Sequence, residues 1–263
     1  MAVAEPGARL PVSVFLITRD EAERLPRTLA ALGWADEIVV VDSGSTDSTC
    51  EIARGAGAAV HHRDWTGYGP QKAHAESLCR NDWVLNVDAD EVVTPALARE
   101  LAALFAEGPP APAAYRVAIL NVYPGDARPR WLANDYDVVR FYHRAAGRYR
   151  DHPLFDRVVL AQGQRPRRLR SALWHYPLTS WAHFVDKENR YTSFQADAAR
   201  QRARWALLLR LPVEMPLSFL KFYLLRRHVT GGWKGFAFAL TAAFARTLRI
   251  VKLLARSEAG PEK

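Results

Sequence analysis

Cysteine is nearly missing from this chain: Cys50 and Cys79 are the two examples in 263 residues. Two such residues cannot build a disulfide framework and have no metal-ligand spacing, so a reducing cytoplasm is the expected compartment. Long apolar runs are missing as well. Residues 1–10 hold no apolar core of the signal-peptide kind, and no signal peptide is expected. No stretch reaches the roughly 18 uninterrupted apolar residues of a bilayer-crossing helix. The longest candidate, residues 235–245, is stopped by Lys234 and Arg246. The histidines, among them His61, His62, His143, His152, His175 and His183, nowhere take zinc-site spacing, so polar structural roles are expected of them.

What is present is apolar bulk and unevenly placed charge. An apolar fraction of 49% with eight tryptophans supports a sizeable core and argues against a disordered chain. The length suits one α/β domain plus an appendage. The formal charge is +8, yet residues 1–200 carry 24 Lys/Arg against 25 Asp/Glu, while residues 201–263 carry 12 against 3. All of the positive excess therefore lies in the last quarter. A near-neutral first part argues against nucleic acid as a partner. A basic final part rich in Leu, Phe and Trp suggests an anionic membrane surface.

Residues 12–18 (VSVFLIT) form a short apolar, β-rich run that predicts a buried strand. Residues 21–32 have helical spacing, with the helix starting near Arg24 so that Pro26 falls in its first turn. Residues 37–42 predict a second strand, followed by a polar turn and a helix over 47–55 capped by Ser45 or Thr46. A third strand is expected at 58–62 and a helix from Gln71 to about Arg80. A fourth strand at 83–87 runs into Asp88-Ala89-Asp90-Glu91, and Thr94 and Pro95 open another helix. This alternation predicts an α/β, Rossmann-like, mostly parallel sheet flanked by helices. Past a Pro/Ala-rich break at 108–114, shorter strands are expected at 114–120, 138–143 and 156–160, with a solvated turn at the basic residues 165–170. From Tyr176 the pattern is helical to about Ala255, and Gly231-Gly232, Pro212 and Pro216 are expected to divide it into three helices.

In such sheets ligands bind beyond the carboxyl ends of the strands, which puts residues 18–21, 42–45 and 88–91 on a single edge. Asp88 and Asp90 suit a divalent cation, Mn²⁺ or Mg²⁺, because a hard cation shares carboxylate oxygens with substrate phosphates and water. Asp42 either accepts from a base N–H or ribose hydroxyl, or caps the turn it opens. Asp47, in a first helical turn, is expected to be structural. Thr18 and Glu21 either line the same base pocket or take capping and surface roles. Lys72 either neutralises a pyrophosphate or is simply solvated.

Together these residues carry a family likeness. Residues 12–21, residues 34–49 (WADEIVVVDSGSTDST), Gln71-Lys72 and residues 83–91 (WVLNVDADE) resemble the inverting family 2 glycosyltransferases of the GT-A fold. Within them the chain is most similar to the bacterial branch that adds a sugar to the lipopolysaccharide inner core. The resemblance implies that Thr18, Glu21 and Asp42 contact the donor nucleotide, that Lys72 sits near the donor, and that Asp88 and Asp90 handle ribose and metal. Where the family pattern has Asn, this chain has Asp20. An inverting transfer also needs a general base for the acceptor hydroxyl, and the branch places a Val-His-Glu-like triplet after an Arg-Leu-Phe strand. Here Arg140-Phe141-Tyr142 precedes Asp151 and Asp156, which makes Asp156 the counterpart of the Glu and Phe155 that of the His. Aspartate is shorter by one methylene, about 1.5 Å of reach. Asp156 is the expected base, with Asp151 and Asp135 as alternatives; its structural alternative is pairing with Arg157 or Arg140. Trp131 and Asp135 fall, by the same likeness, on an acceptor-side loop.

The expected organisation is a GT-A glycosyltransferase domain over 1–175, with a nucleotide-sugar half near 10–107 and an acceptor half near 114–175. A helical, basic region follows over 176–263, expected to lie on the inner face of the cytoplasmic membrane. The expected reaction moves glucose or a similar hexose from a UDP-sugar to a lipid-linked saccharide such as lipopolysaccharide core. Two rivals are a nucleotidyltransferase and a catalytically inactive membrane-surface binding protein. The absence of glycine from residues 18–24 argues against the first, and only the altered Phe155-Asp156 pair supports the second.

Overall fold

The structure is a computed structural model that describes residues 9–133, 135–152, 156–199 and 203–259. It divides into two compact units: Met1–Leu120 with Asp135–Tyr176, and Asn121–Asn134 with Pro177–Lys263.

The first unit runs β1 (Leu10–Thr18), α1 (Leu25–Ala30), β2 (Ala35–Asp42), α2 (Thr49–Gly55), β3 (Ala59–His62), α3 (Tyr68–Ser77) and β4 (Trp83–Asn86). It continues through β5 (Glu91–Val93), α4 (Pro95–Leu104), β6 (Ala114–Asn121), β7 (Asp135–His143), β8 (Gly147–Tyr149), β9 (Val158–Leu160) and β10 (Arg167–His175). Among the described residues eight strands share one sheet in the order β3-β2-β1-β4-β7-β6-β10-β5, and β8 pairs with β9 apart from it. The neighbours β3, β2, β1 and β4 run parallel, as the strand–helix alternation predicts. Beyond β4 the pairs β4–β7, β7–β6 and β10–β5 are antiparallel, so the α/β sheet is mixed.

Strand β1 feeds both faces of this sheet because successive side chains alternate. Val12, Val14 and Leu16 join Leu25, Leu29 and Leu97 in one apolar layer. Phe15 turns the other way, into a layer with Val39, Val41, Ala75 and Tyr142. Burial on both faces explains why the run reads as continuously apolar, and each such side chain contributes about 1.5–3 kcal/mol.

Several boundaries differ from the sequence expectation. Helix α1 carries Pro26 in its first turn as expected, but residues 21–24 form a separate turn closed by Leu25 N donating to Glu21 O at 2.9 Å. Helix α2 starts at Thr49, with Ser48 rather than Ser45 or Thr46 at its N-cap and no side-chain cap there, while Asp47 Oδ1 accepts from Thr49 N at 3.0 Å just ahead of it. Helix α3 starts at Tyr68, which puts Lys72 inside it rather than at its opening. Thr94 caps α4 as expected, its Oγ1 accepting from Leu97 N at 3.1 Å. Residues 167–170 are no turn but the first part of β10, with only Leu169 among them buried. A strand so exposed on its first turn of residues offers little apolar alternation to read.

The second unit contains α5 (Trp181–Asp197), α6 (Arg204–Leu220), a π turn at Lys221–Leu225, a 3-10 turn at His228–Gly231 and α7 (Gly232–Ala259). Pro212 and Pro216 lie inside α6 and do not divide it, a correction to the sequence expectation. Each removes a backbone donor, a cost of about 3 kcal/mol in a free helix. Packing offsets it: Leu207 of α6 is buried with Ile250 and Leu254 of α7. Glu214, also on α6, accepts from Arg210 Nε (2.6 Å), Arg246 Nε (2.7 Å) and Ser218 Oγ (3.0 Å). Burial pushes its carboxyl up, but those three donors prevail and hold it down at about 2. At Gly235 a Cβ would lie 1.8 Å from His228 O, so only glycine lets the 3-10 turn close on α7.

Candidate active site

Parallel pairing aligns the carboxyl ends of β1, β2 and β4: Thr18 stands opposite Asp42, and Phe15 opposite Asn86. Thr18 Oγ1 donates to Asp42 Oδ1 at 3.1 Å. Asp42 also accepts from Ser45 Oγ (2.5 Å), Ser45 N (2.8 Å) and Gly44 N (2.9 Å). Four donors fill the acceptor positions of a carboxylate. Burial opposes its charge, yet these donors outweigh it and hold the Asp42 carboxyl below the usual range. Asp42 thus caps the turn it opens, and Gly44, at φ +88°, supplies the left-handed residue that turn requires.

Asp20 is used in a similar way. Its φ of +52° is a conformation that Asp tolerates better than most residues. Its N donates to Ser45 Oγ at 2.8 Å, and its Oδ1 accepts from Thr46 N at 2.7 Å. The departure from the family pattern therefore falls on a residue that ties the β1 and β2 loops together.

Arg24 joins the β1 loop to the acidic triplet. Glu21 Oε1 and Oε2 accept from Arg24 Nη2 and Nε at 2.6 and 2.7 Å, while Arg24 Nη1 donates to Asp90 Oδ2 at 3.2 Å. Burial nevertheless leaves the Glu21 carboxyl above its ordinary value. The β5–β10 pairing sets His175 opposite Glu91, and His175 Nε2 lies 3.3 Å from Asp90 Oδ2. Burial would lower the imidazole, but its hydrogen bond to Asp90 prevails and raises it. Nothing in the histidine spacing marks His175, because a three-residue strand brings it here.

The other half of the site is an ion network around Asp88. Arg140 Nη2 donates to Asp88 Oδ2 at 2.7 Å and to Glu91 Oε1 at 2.9 Å, and its Nη1 donates to Asn86 Oδ1. Glu91 Oε2 in turn accepts from Asp88 N at 3.0 Å. Lys72 Nζ lies 3.1 Å from Asp88 Oδ1 and 3.0 Å from Asp156 Oδ1. The structure thus brings Lys72, Asp88 and Asp156 together through one ammonium. Arg140, an expected partner of Asp156, serves Asp88 and Glu91 instead. Burial opposes charge on both Lys72 and Asp88. Asp88 nonetheless raises Lys72, and Arg140 with Lys72 lowers Asp88 well below the usual carboxylate range. Of the other residues named for the acceptor side, Asp151 is exposed, Asp135 pairs through its backbone with Leu120, and Phe155 lies outside the described residues.

Two cavities open in this unit. One, of about 450 Å³, is lined by Lys72, Asp88, Arg116, Arg140, Tyr149 and Asp156 among others. The second, of about 470 Å³, is lined by Thr18, Arg19, Glu21, Trp65 and Tyr68. Trp65 and Tyr68 meet edge to face at 4.8 Å between ring centroids. Cations in the first cavity suit phosphate, and aromatic faces in the second suit a planar base. The donor set for a divalent cation is partial. Asp88, Asp90 and His175 offer the right oxygen and nitrogen donors, but among the described residues no group of three or more acidic, His or Cys side chains is arranged to hold a metal by itself. That fits a cation completing its shell with substrate phosphate and water.

The family model "Glycosyl transferase family 2" matches residues 13–170. An uncharacterised glycosyltransferase of Rickettsia prowazekii is 36% identical over 252 residues, covering 92% of this chain and 86% of its own. A lipopolysaccharide core biosynthesis glycosyltransferase of Rhizobium meliloti is 28% identical, covering 94% and 93%. Among solved structures, glucosyl-3-phosphoglycerate synthase from Mycobacterium tuberculosis, in complex with Mn²⁺ and uridine diphosphate, matches 43% of this chain and 44% of its own. That match has 23% identity and a TM-score of 0.33, too remote to argue from.

Proposed function

Because this chain belongs to glycosyl transferase family 2, we propose that it moves glucose or a similar hexose, with inversion, from a UDP-sugar to a lipid-anchored saccharide of the lipopolysaccharide core kind. The observation that carries this reading is the single ammonium of Lys72 bridging Asp88 and Asp156 at the wall of a phosphate-sized cavity. The donor base stacks beside Trp65 and Tyr68, with Thr18 and Glu21 along the same wall. Asp42 serves that wall by fixing the Ser43–Ser45 turn. The diphosphate lies against Lys72 and Arg140, and Asp88 faces the ribose and the cation.

Asp88 and Asp90, with His175 beside Asp90, would hold Mn²⁺ or Mg²⁺. That cation would supply charge neutralisation for the departing nucleotide. Asp156 takes the proton of the acceptor hydroxyl, whose oxygen attacks the anomeric carbon as the bond to the diphosphate oxygen breaks and UDP leaves with its electron pair. Lys72 couples the two halves. When the diphosphate draws its ammonium away, Asp156 is freed from its ion pair to face the acceptor hydroxyl. A hydrolysis panel of UDP-, GDP- and ADP-sugars with Mn²⁺ or Mg²⁺ tests the donor assignment. UDP-glucose or a close relative is turned over; a panel in which no sugar nucleotide is consumed contradicts it.

The second unit supports a place on the membrane. Trp233, Phe236, Leu240, Phe244 and Val251 are all exposed and fall on one stripe of α7, while α6 exposes Trp205, Leu209 and Leu217. Apolar surface on that scale marks an interaction face. No helix of the described residues is long and apolar enough to cross a membrane. With the local excess of Lys and Arg, the helices lie in the headgroup layer of the inner leaflet, where the lipid-linked acceptor is found. The full chain is expected to sediment with phosphatidylglycerol vesicles at low salt, to release at high salt, and to ignore phosphatidylcholine vesicles. Equal indifference to both vesicle types contradicts this placement.

A further inference from the structure

A cavity of about 280 Å³ lies within the second unit, between α5, α6 and α7, and none of its lining residues is assigned to sugar transfer. Its wall carries three arginines, Arg210, Arg246 and Arg249, against two carboxylates, Glu188 and Glu214. Glu214 is already engaged by three donors: one oxygen accepts from Arg210, the other from Arg246 and Ser218. Arg210 and Arg246 reach it through Nε, so their terminal Nη groups are left for another acceptor. Arg249 forms no ion pair among the described residues, and its Nε is buried without a hydrogen bond. The second carboxyl of the wall, Glu188, is raised above its ordinary value by burial.

The wall is otherwise mostly apolar, with Phe184, Leu207, Phe238 and Ile250 among its residues beside the polar Thr192 and Gln195. A site that combines guanidinium forks with aromatic and aliphatic side chains recognises an anion attached to a hydrocarbon. An inorganic anion leaves the apolar wall unused, and a neutral lipid leaves Arg249 unpaired. The volume lies at the low end for ligand pockets, enough for a phosphate headgroup and its first carbons but not for a whole lipid.

We propose that this cavity is a binding site for an amphipathic phosphate: a phosphate monoester or diester whose alkyl chain leaves the pocket, the chemistry of an anionic phospholipid headgroup. The phosphate oxygens accept from Arg249 and from the free Nη groups of Arg210 and Arg246, and the first carbons lie on Phe184 and Phe238. The inference is independent of the transferase reading, since every residue it uses belongs to the helical unit.

Calorimetric titration of the full chain with dihexanoyl phosphatidic acid, below its micelle concentration, tests it, with dihexanoyl phosphatidylcholine and inorganic phosphate as the other arms. Phosphatidic acid should bind saturably, and Arg249→Gln should weaken it about tenfold or more while the melting temperature and UDP-sugar hydrolysis stay unchanged. Ala242→Leu, which fills the cavity without altering charge, should abolish binding, and Arg249→Lys should keep part of it. Phosphatidic acid binding that is no tighter than phosphatidylcholine, or indifferent to both Arg249→Gln and Ala242→Leu, overturns the proposal. Inorganic phosphate binding as tightly as phosphatidic acid overturns its apolar half and leaves a simple anion site.

Discussion

Asp156→Asn should leave UDP-sugar binding near the wild-type level and lower transfer to acceptor by about 10²–10⁴-fold, the range that a positioned general base contributes. The substitution keeps size and hydrogen-bonding shape and removes the capacity to take a proton. It also releases Lys72 from one of its two carboxylates, leaving the 3.1 Å pair with Asp88. The donor side should therefore persist or tighten slightly, because a less neutralised ammonium meets the diphosphate. The check is a split measurement: calorimetry for UDP binding and single-turnover transfer for the chemical step. Loss of UDP binding in step with transfer would make Asp156 a donor-site residue. Unchanged transfer would return the base to Asp151 or Asp135.

Arg140→Met should be the most destabilising single change in the sheet unit, at about 3–5 kcal/mol. The guanidinium is almost fully buried and serves Asp88, Glu91 and Asn86 together. Glu91 is completely buried, so removing its cation strands a charge with no route to water. Burial already raises the Glu91 carboxyl despite Arg140, and without Arg140 it rises further. A carboxyl raised in the folded state binds more protons folded than unfolded over that interval, so stability falls as pH rises through it. The penalty should be full at neutral pH and shrink as pH is lowered, which a series of urea unfolding curves reads directly. Glu91→Gln combined with Arg140→Met should recover part of the loss, whereas simple additivity would mean that the two side chains are not coupled.

The legible part of this protein is the part whose strands are buried on both faces. Residues 12–18, 37–42 and 83–86 stand out because each is a continuous β-rich apolar run ending in a polar residue. Parallel pairing then delivers Thr18, Asp42 and Asp88 to one edge. Lys72 and Asp156 could be named in advance only by family likeness, since no local pattern links residues on α3 and after β8. Arg140 and His175 were not identified as site residues at all. Arg140 reaches Asp88 across 52 residues of sequence through an antiparallel addition to the sheet. His175 depends on β5, whose three residues are too few to show a period. The uninterrupted course of α6 through Pro212 and Pro216 was equally hidden, because its support comes from the partner helix rather than from its own sequence.

Under the proposed function, the edge carrying Thr18, Glu21, Lys72, Asp88 and Asp90 is a metal-assisted nucleotide-sugar site. Titration of UDP into wild type and Asp90→Ala, each with Mn²⁺ and with EDTA, tests it most directly. Wild type should bind UDP about tenfold or more tightly with Mn²⁺ than without, because a cation held by Asp88 and Asp90 would offset the charge of the diphosphate. Asp90→Ala should lose that gain and its transfer activity, while keeping its circular dichroism spectrum and melting temperature. An Asp90→Ala protein that keeps both the Mn²⁺ dependence and full activity contradicts the account.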